Sequence, residues 1–166
     1  TIGSVSWRDR FFAEKNQSVA SFLQQMDKGV QAAKEVFVTI APAVNRANWE
    51  EAFASSGTMK MLAYICAAHG FGENQIQLEA LYELKTKMAE SIANNTELPG
   101  LKDRRRDLLL AGWCILLGLM ETYRIKTINF SATALREGML DFMVKNEKTI
   151  QAMESSGLPE VSFAKG

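Results

Sequence analysis

The segment Ala54-Ser55-Ser56-Gly57-Thr58 could bind phosphate, because it is a small, hydroxyl-rich turn directly before a predicted helix. Unpaired backbone N–H groups at a helix start, with hydroxyls beside them, suit a phosphate or a nucleotide. Serine and threonine also cap ordinary helices, and this turn is shorter than a Walker loop and lacks its lysine. Both interpretations, a phosphate-binding turn and a simple helix cap, remain open from the residues alone.

A second candidate is the charged run Lys102-Asp103-Arg104-Arg105-Arg106-Asp107, which leads into the most apolar stretch of the chain. Guanidinium groups bind phosphate oxygens in pairs, so the arginines could clamp a polyanion. The alternative is a solvated first helical turn. Positive charges oppose the dipole at a helix N-terminus, which makes a purely solvent-exposed role less natural there.

The third candidate, Ser131-Ala132-Thr133-Ala134-Leu135-Arg136-Glu137-Gly138, repeats the order of strand, small-residue turn and helix. Two such turns at neighbouring strand ends would form two sides of one crevice. The alternative is again a capped helix, here with an exposed pair formed by Arg136 and Glu137.

Composition excludes several classes of protein. The 166 residues are 47% hydrophobic and carry 19 Lys+Arg against 19 Asp+Glu, which suits one globular domain and disfavours a partner that is a nucleic acid polymer. The single histidine, His69, excludes two-histidine metal sites, and its place before Gly70 predicts bonding to helix-end carbonyls. Cys66 and Cys114 lie in apolar helical patterns, which predicts buried thiols.

The longest apolar run, Leu108 to Met120, has 13 residues. A membrane-spanning helix needs roughly 20, and no signal peptide opens the chain. We therefore expect no membrane span and a soluble, cytoplasmic protein.

Apolar spacing predicts four helices that would position these segments. The first begins after the N-cap Ser18 and ends near Ala41, before Pro42. The second follows the Ser-Gly-Thr turn, buries Met59, Leu62, Ile65 and Cys66, and ends at Gly70. The third buries Leu78, Leu81, Leu84, Met88 and Ile92 and ends at Asn94-Asn95-Thr96. The fourth, Leu108 to Met120, is apolar on every side, with Gly112 and Gly118 allowing close packing.

Three short strands are predicted, within Ile2 to Trp7, Trp49 to Ala54 and Ile125 to Ser131. A further helix after the last strand would bury Leu135, Met139, Leu140 and Met143. Periodicity is lost from Lys148, which predicts a surface or disordered tail over residues 148–166. The predicted fold class is a helix-rich α/β domain.

Four elements occur in a fixed order along the chain: Ser4-Val5-Ser6-Trp7 with Arg10-Phe11-Phe12; Ala54 to Thr58; Gly100-Leu101 with Arg105 and Leu108 to Gly112; and Ala134 to Leu140. In order and spacing they resemble the second half of the exopolyphosphatase and guanosine pentaphosphate phosphohydrolase family.

The resemblance implies a phosphoanhydride hydrolase with the actin-like ATPase fold, in which two RNase H-like domains enclose the active site. Residues 1–147 would be the second domain, incomplete at its N-terminus. Ser56, Gly57 and Thr58 match the small-residue turn facing the cleft, and Arg105 matches an arginine that contacts phosphate or nucleotide. Arg136, Glu137 and Gly138 match an element of architectural role. The substrate would be polyphosphate or guanosine pentaphosphate, and the cofactor Mg²⁺.

The family's first domain and the glycine-rich phosphate loops of both domains have no counterpart here, and the chain begins at Thr1 rather than Met. We therefore expect a fragment that is inactive without the N-terminal domain of the same protein, with no catalytic or metal-binding residue of its own and possible homodimer formation. Ala134 and Ala111 depart from the family's pattern, so the preference between the two substrates stays open. The alternative function is a non-enzymatic helical interaction module that uses Trp7, Phe11 and Phe12.

Overall fold

A computed structural model describes residues 2–40, 57–137 and 142–145 of the chain. In chain order the elements are α1 (Ser4–Phe11), α2 (Val19–Ile40), α3 (Gly57–Ala68), β1 (Gln75–Gln77), α4 (Leu78–Asn94), a 3₁₀ helix (Asp103–Leu108), α5 (Leu109–Tyr123), β2 (Thr127–Phe130), α6 (Ala132–Glu137) and β3 (Phe142–Lys145). The described chain is a helix-rich α/β fold, as predicted.

Helix α5 forms the centre of the core, as its uniformly apolar sequence predicts. It is buried over nearly its whole length and packs most extensively against α2. A Cβ atom placed on Gly118 would lie 2.8 Å from the Cβ of Ala33 in α2, and one on Gly112 would lie 2.2 Å from Cγ2 of Thr58 in α3. The two glycines therefore allow the close helix packing that the sequence predicts.

The remaining long helices, α2, α3 and α4, also bury the predicted faces, although α3 already begins at Gly57, within the predicted turn. The backbone N–H of Ser21 donates to Oγ of Ser18 at 3.1 Å, so Ser18 caps α2. Gly70, after α3, and Asn95, after α4, adopt positive φ angles of 84° and 51°. The predicted effect of Pro42 lies outside the described residues.

The predicted strand at the N-terminus is wrong, because residues Ser4–Phe11 form α1. The indole Nε1 of Trp7 donates to the carbonyl of Gly29 at 2.9 Å, and both Trp7 and Phe12 are buried. This long-range anchoring to α2 favours a helix where the short β-branched pattern indicated a strand. It also places most of the aromatic cluster in the core, where a partner protein could not reach it.

The sheet is antiparallel, in the order β1-β2-β3, with Ile128 of β2 paired to Ile76 and to Val144. The predicted strand within Ile125 to Ser131 is confirmed as β2. The predicted helix through Met143 is wrong, since Phe142–Lys145 pair with β2 as β3. The strand β1 is a short, mostly polar segment that alternation did not detect. The predicted strand at Trp49 to Ala54 and the predicted tail lie outside the described residues.

Within the described part of the chain, no helix is long and apolar enough to cross a membrane.

Candidate functional site

Two predicted phosphate-binding residues, Gly57 and Arg105, lie next to each other in the structure, although they are 48 positions apart in the sequence. Arg105 lies in the 3₁₀ helix that leads into α5, and Gly57 is the first residue of α3. A Cβ atom on Gly57 would lie 2.7 Å from Nη2 and 2.8 Å from Cζ of Arg105. The guanidinium group therefore lies against Gly57 at the start of α3, where a side chain on residue 57 would displace it.

The electrostatics of this contact favour an anion. The first four N–H groups of a helix have no acceptor within the helix, and the helix dipole adds positive potential at the same end. The partly buried guanidinium of Arg105 adds a full positive charge. Among the described residues, no carboxylate lies within 4.0 Å of it. Two positive groups thus converge with no described acidic side chain between them.

Thr58, in contrast, faces the core. It is 1% exposed, its Oγ1 lies 3.4 Å from Oγ of Ser4, and its methyl group contacts the position of Gly112. Its side chain therefore anchors α3 against α1 and α5. Ser56 lies outside the described residues, so Gly57 is the member of the predicted turn that the structure places beside Arg105.

The three arginines of the charged run point to different places. Nη2 of Arg106 donates to the carbonyl of Ser91 at 2.7 Å and to its Oγ at 3.2 Å, which links the 3₁₀ helix to the last turn of α4. Arg104 is exposed. Of the three, only Arg105 is directed at α3, so a clamp made by the whole run does not form within the described structure.

Lys60 lies in the first turn of α3 and is not among the site residues predicted from the sequence. Its Nζ donates to the carbonyl of Arg136 at 2.8 Å, which links α3 to α6 and so joins the first and third candidate segments. A lysine one turn after a small-residue loop was the available signal. The side chain of Arg136 is exposed, whereas that of Glu137 and all of Gly138 lie outside the described residues.

The described residues do not fit a divalent metal ion. Within residues 2–40, 57–137 and 142–145, no group of three or more His, Cys, Asp or Glu side chains is placed to hold one. Cys66 and Cys114 are free and buried, and burial raises the pKa of the Cys66 thiol to about 12. Nδ1 of His69 lies 2.7 Å from the carbonyl of Ile65, in the helix-end position that was predicted.

Comparison with known proteins agrees with the four elements seen in the sequence. The Ppx/GppA phosphatase family matches residues 1–147. The chain belongs to this family. The predicted resemblance is thereby confirmed, and Gly57, Arg105 and Lys60 all lie within the matched part of this Ppx/GppA chain.

Two curated relatives carry the name guanosine-5'-triphosphate,3'-diphosphate pyrophosphatase. The protein from Pseudoalteromonas translucida is 33% identical over 147 aligned residues, and the match covers 86% of this chain and 28% of that protein. The protein from Pseudoalteromonas atlantica is 30% identical over 157 aligned residues, and the match covers 92% of this chain and 30% of that protein. The chain spans less than a third of the length of these two relatives.

Proposed function

We propose that this chain is the second RNase H-like domain of a phosphoanhydride hydrolase acting on guanosine pentaphosphate or polyphosphate. In this proposal the surface formed by Gly57 and Arg105 binds oxygens of the phosphate chain. The observation that carries it is the guanidinium of Arg105 lying against Gly57 at the start of α3.

The chemistry of this surface is binding and orientation. A guanidinium group can donate two parallel hydrogen bonds to a phosphate, and the N–H groups of a first helical turn can donate to another oxygen. The link from Lys60 to Arg136 would hold α6 beside this surface. The chain would thus position a substrate phosphate and neutralise part of its charge, while the hydrolytic groups lie elsewhere in the enzyme.

Mg²⁺ remains part of the proposal for the whole enzyme, where it would stabilise charge on the transferred phosphoryl group. Because the described residues offer no suitable cluster of carboxylates, the proposal places no metal ligand among them. The names of the two relatives favour the guanosine nucleotide as the substrate.

The interaction module is the weaker alternative, because Trp7 and Phe12 are buried. Phe11 is partly buried and Arg10 lies over its ring, with 4.8 Å from Cζ to the ring centroid. The cluster therefore offers little free apolar surface to a partner.

Replacing Arg105 with glutamine should weaken the binding of tripolyphosphate to this chain by about tenfold or more, because a hydrogen bond to a charged group contributes about 1.5–3 kcal/mol. Isothermal titration calorimetry at low ionic strength measures the change. Arg105→Lys should give an intermediate affinity, since it keeps the charge but loses the two-pronged geometry.

The matched control is Arg104→Gln, which removes the same charge from the neighbouring exposed position. It should change the affinity by about twofold at most. Equal losses in the two glutamine variants would show that tripolyphosphate responds to net charge alone, and would contradict a specific role for Arg105.

A further inference from the structure

A pocket of about 210 Å³ lies between α1, the start of α2, α4, the 3₁₀ helix and the start of α5. Its base is apolar. The rings of Phe12 and Phe22 stack with their centroids 6.5 Å apart and an interplanar angle of 29°, and Ile92 and Leu110 complete the base. Gly57 and Arg105 are not among its lining residues, so this pocket is separate from the proposed phosphate-binding surface.

The rim of the pocket is positively charged. Arg8, Lys15 and Arg106 line it together with a single acidic residue, Asp107. Nη1 of Arg8 already donates to Oδ2 of Asp107 at 2.8 Å, so this carboxylate is used within the rim. Nε of Arg8 also donates to Oδ1 of Asp9 at 3.1 Å, so Arg8 is paired with two carboxylates, and Lys15 and Arg106 supply the positive charge above the apolar base.

Two of these cations can accept an anionic partner. Lys15 is exposed, and the contacts of Arg106 to Ser91 use Nη2 of a group that has five N–H donors. In the described part of the chain, no Asp or Glu side chain lies within 4.0 Å of either of them. Ligand pockets of this kind combine an apolar lining with a few polar groups that fix orientation.

We propose that this pocket binds a small aromatic anion, with its ring on Phe12 and Phe22 and its carboxylate or phosphate at Lys15 and Arg106. The apolar lining favours a ring, and the charges of Lys15 and Arg106 favour an anionic group. An empty apolar space of about 150 Å³ can hold benzene, so the volume here suffices for a single ring with a small charged group.

The test is titration of the isotope-labelled chain with four probes, followed by NMR: phenyl phosphate, benzoate, inorganic phosphate and benzyl alcohol. Phenyl phosphate or benzoate should bind at least about fivefold more tightly than either inorganic phosphate or benzyl alcohol, and should shift the amide signals of Phe12, Lys15 and Ile92. The stronger of the two aromatic probes identifies the preferred anionic group. Equal binding of inorganic phosphate, or of benzyl alcohol, would overturn the proposal.

Two variants test the geometry with the better aromatic probe. Lys15→Gln should weaken its binding by about two- to fivefold, the size expected of an exposed charge, whereas Lys28→Gln, an exposed lysine outside the pocket, should leave binding unchanged. Arg105→Gln should also leave it unchanged. An equal loss in Lys15→Gln and Lys28→Gln would overturn the proposal, as would a loss in Arg105→Gln alone.

Discussion

Replacing Gly112 with valine is expected to lower the free energy of unfolding by about 3 kcal/mol, the upper range for overpacking a core. The first added carbon would lie 2.2 Å from Cγ2 of Thr58 and 3.9 Å from Cδ1 of Leu62. Thr58 is buried, and its Oγ1 lies 3.4 Å from Oγ of Ser4, so turning its methyl group aside would cost this contact. Denaturant unfolding followed by circular dichroism measures the loss.

A double variant shows whether Thr58 is the cause. Gly112→Ala alone should destabilise the chain by about 1–2 kcal/mol, because the collision outweighs alanine's better helix propensity. Thr58→Ser removes Cγ2, so the combined variant should recover most of that loss. Gly118→Ala meets Ala33 in α2 instead, and Thr58→Ser should not rescue it. Equal effects of Thr58→Ser on both glycine variants would contradict the contact between Gly112 and Thr58.

The second large effect concerns catalysis by a full-length enzyme that contains this chain. Arg105→Gln should lower kcat/KM for guanosine pentaphosphate by about a hundredfold, the size expected when one pre-positioned donor to a reacting anion is lost. Phosphate release from guanosine pentaphosphate and from polyphosphate, measured in parallel, gives the number for each substrate. We expect the 166-residue chain alone to release no phosphate.

The controls for this experiment are variants of the neighbouring residues Arg104 and Arg106, which are not directed at α3. Arg104→Gln should leave kcat/KM within about twofold of the unmodified enzyme. Arg106→Gln should lower stability, because it removes the hydrogen bonds from the guanidinium to Ser91, but it should lower kcat/KM less than Arg105→Gln. Unchanged kinetics in Arg105→Gln would reduce this arginine to a solvated residue at a helix start. Phosphate release by residues 1–166 alone would contradict the proposed division between domains.

Helices with a complete local signal could be predicted from the sequence. Ser18 caps α2, Gly70 and Asn95 follow the ends of α3 and α4, and the all-apolar α5 is central. Each of these features depends on residues within a few positions of one another. The local spacing of residues was therefore sufficient to predict these helices.

Elements determined by distant contacts could not be predicted in this way. Helix α1 depends on the burial of Trp7 against Gly29, and β3 depends on pairing with β2. The candidate site shows the same limit. The adjacent residues Arg104, Arg105 and Arg106 are alike in sequence, and only the packing of the 3₁₀ helix against α3 and α4 directs one to Gly57 and another to Ser91.

The most direct test of the phosphate-binding surface is an NMR titration of the labelled chain with tripolyphosphate. The amide signal of Gly57 and the Nε–H signal of Arg105 should shift together, with one saturation curve, and Arg105→Gln should abolish the shift at Gly57. Shifts centred on Lys15 and Arg8, or spread over exposed lysines with Gly57 unmoved, would contradict the assignment of Gly57 and Arg105 to phosphate binding.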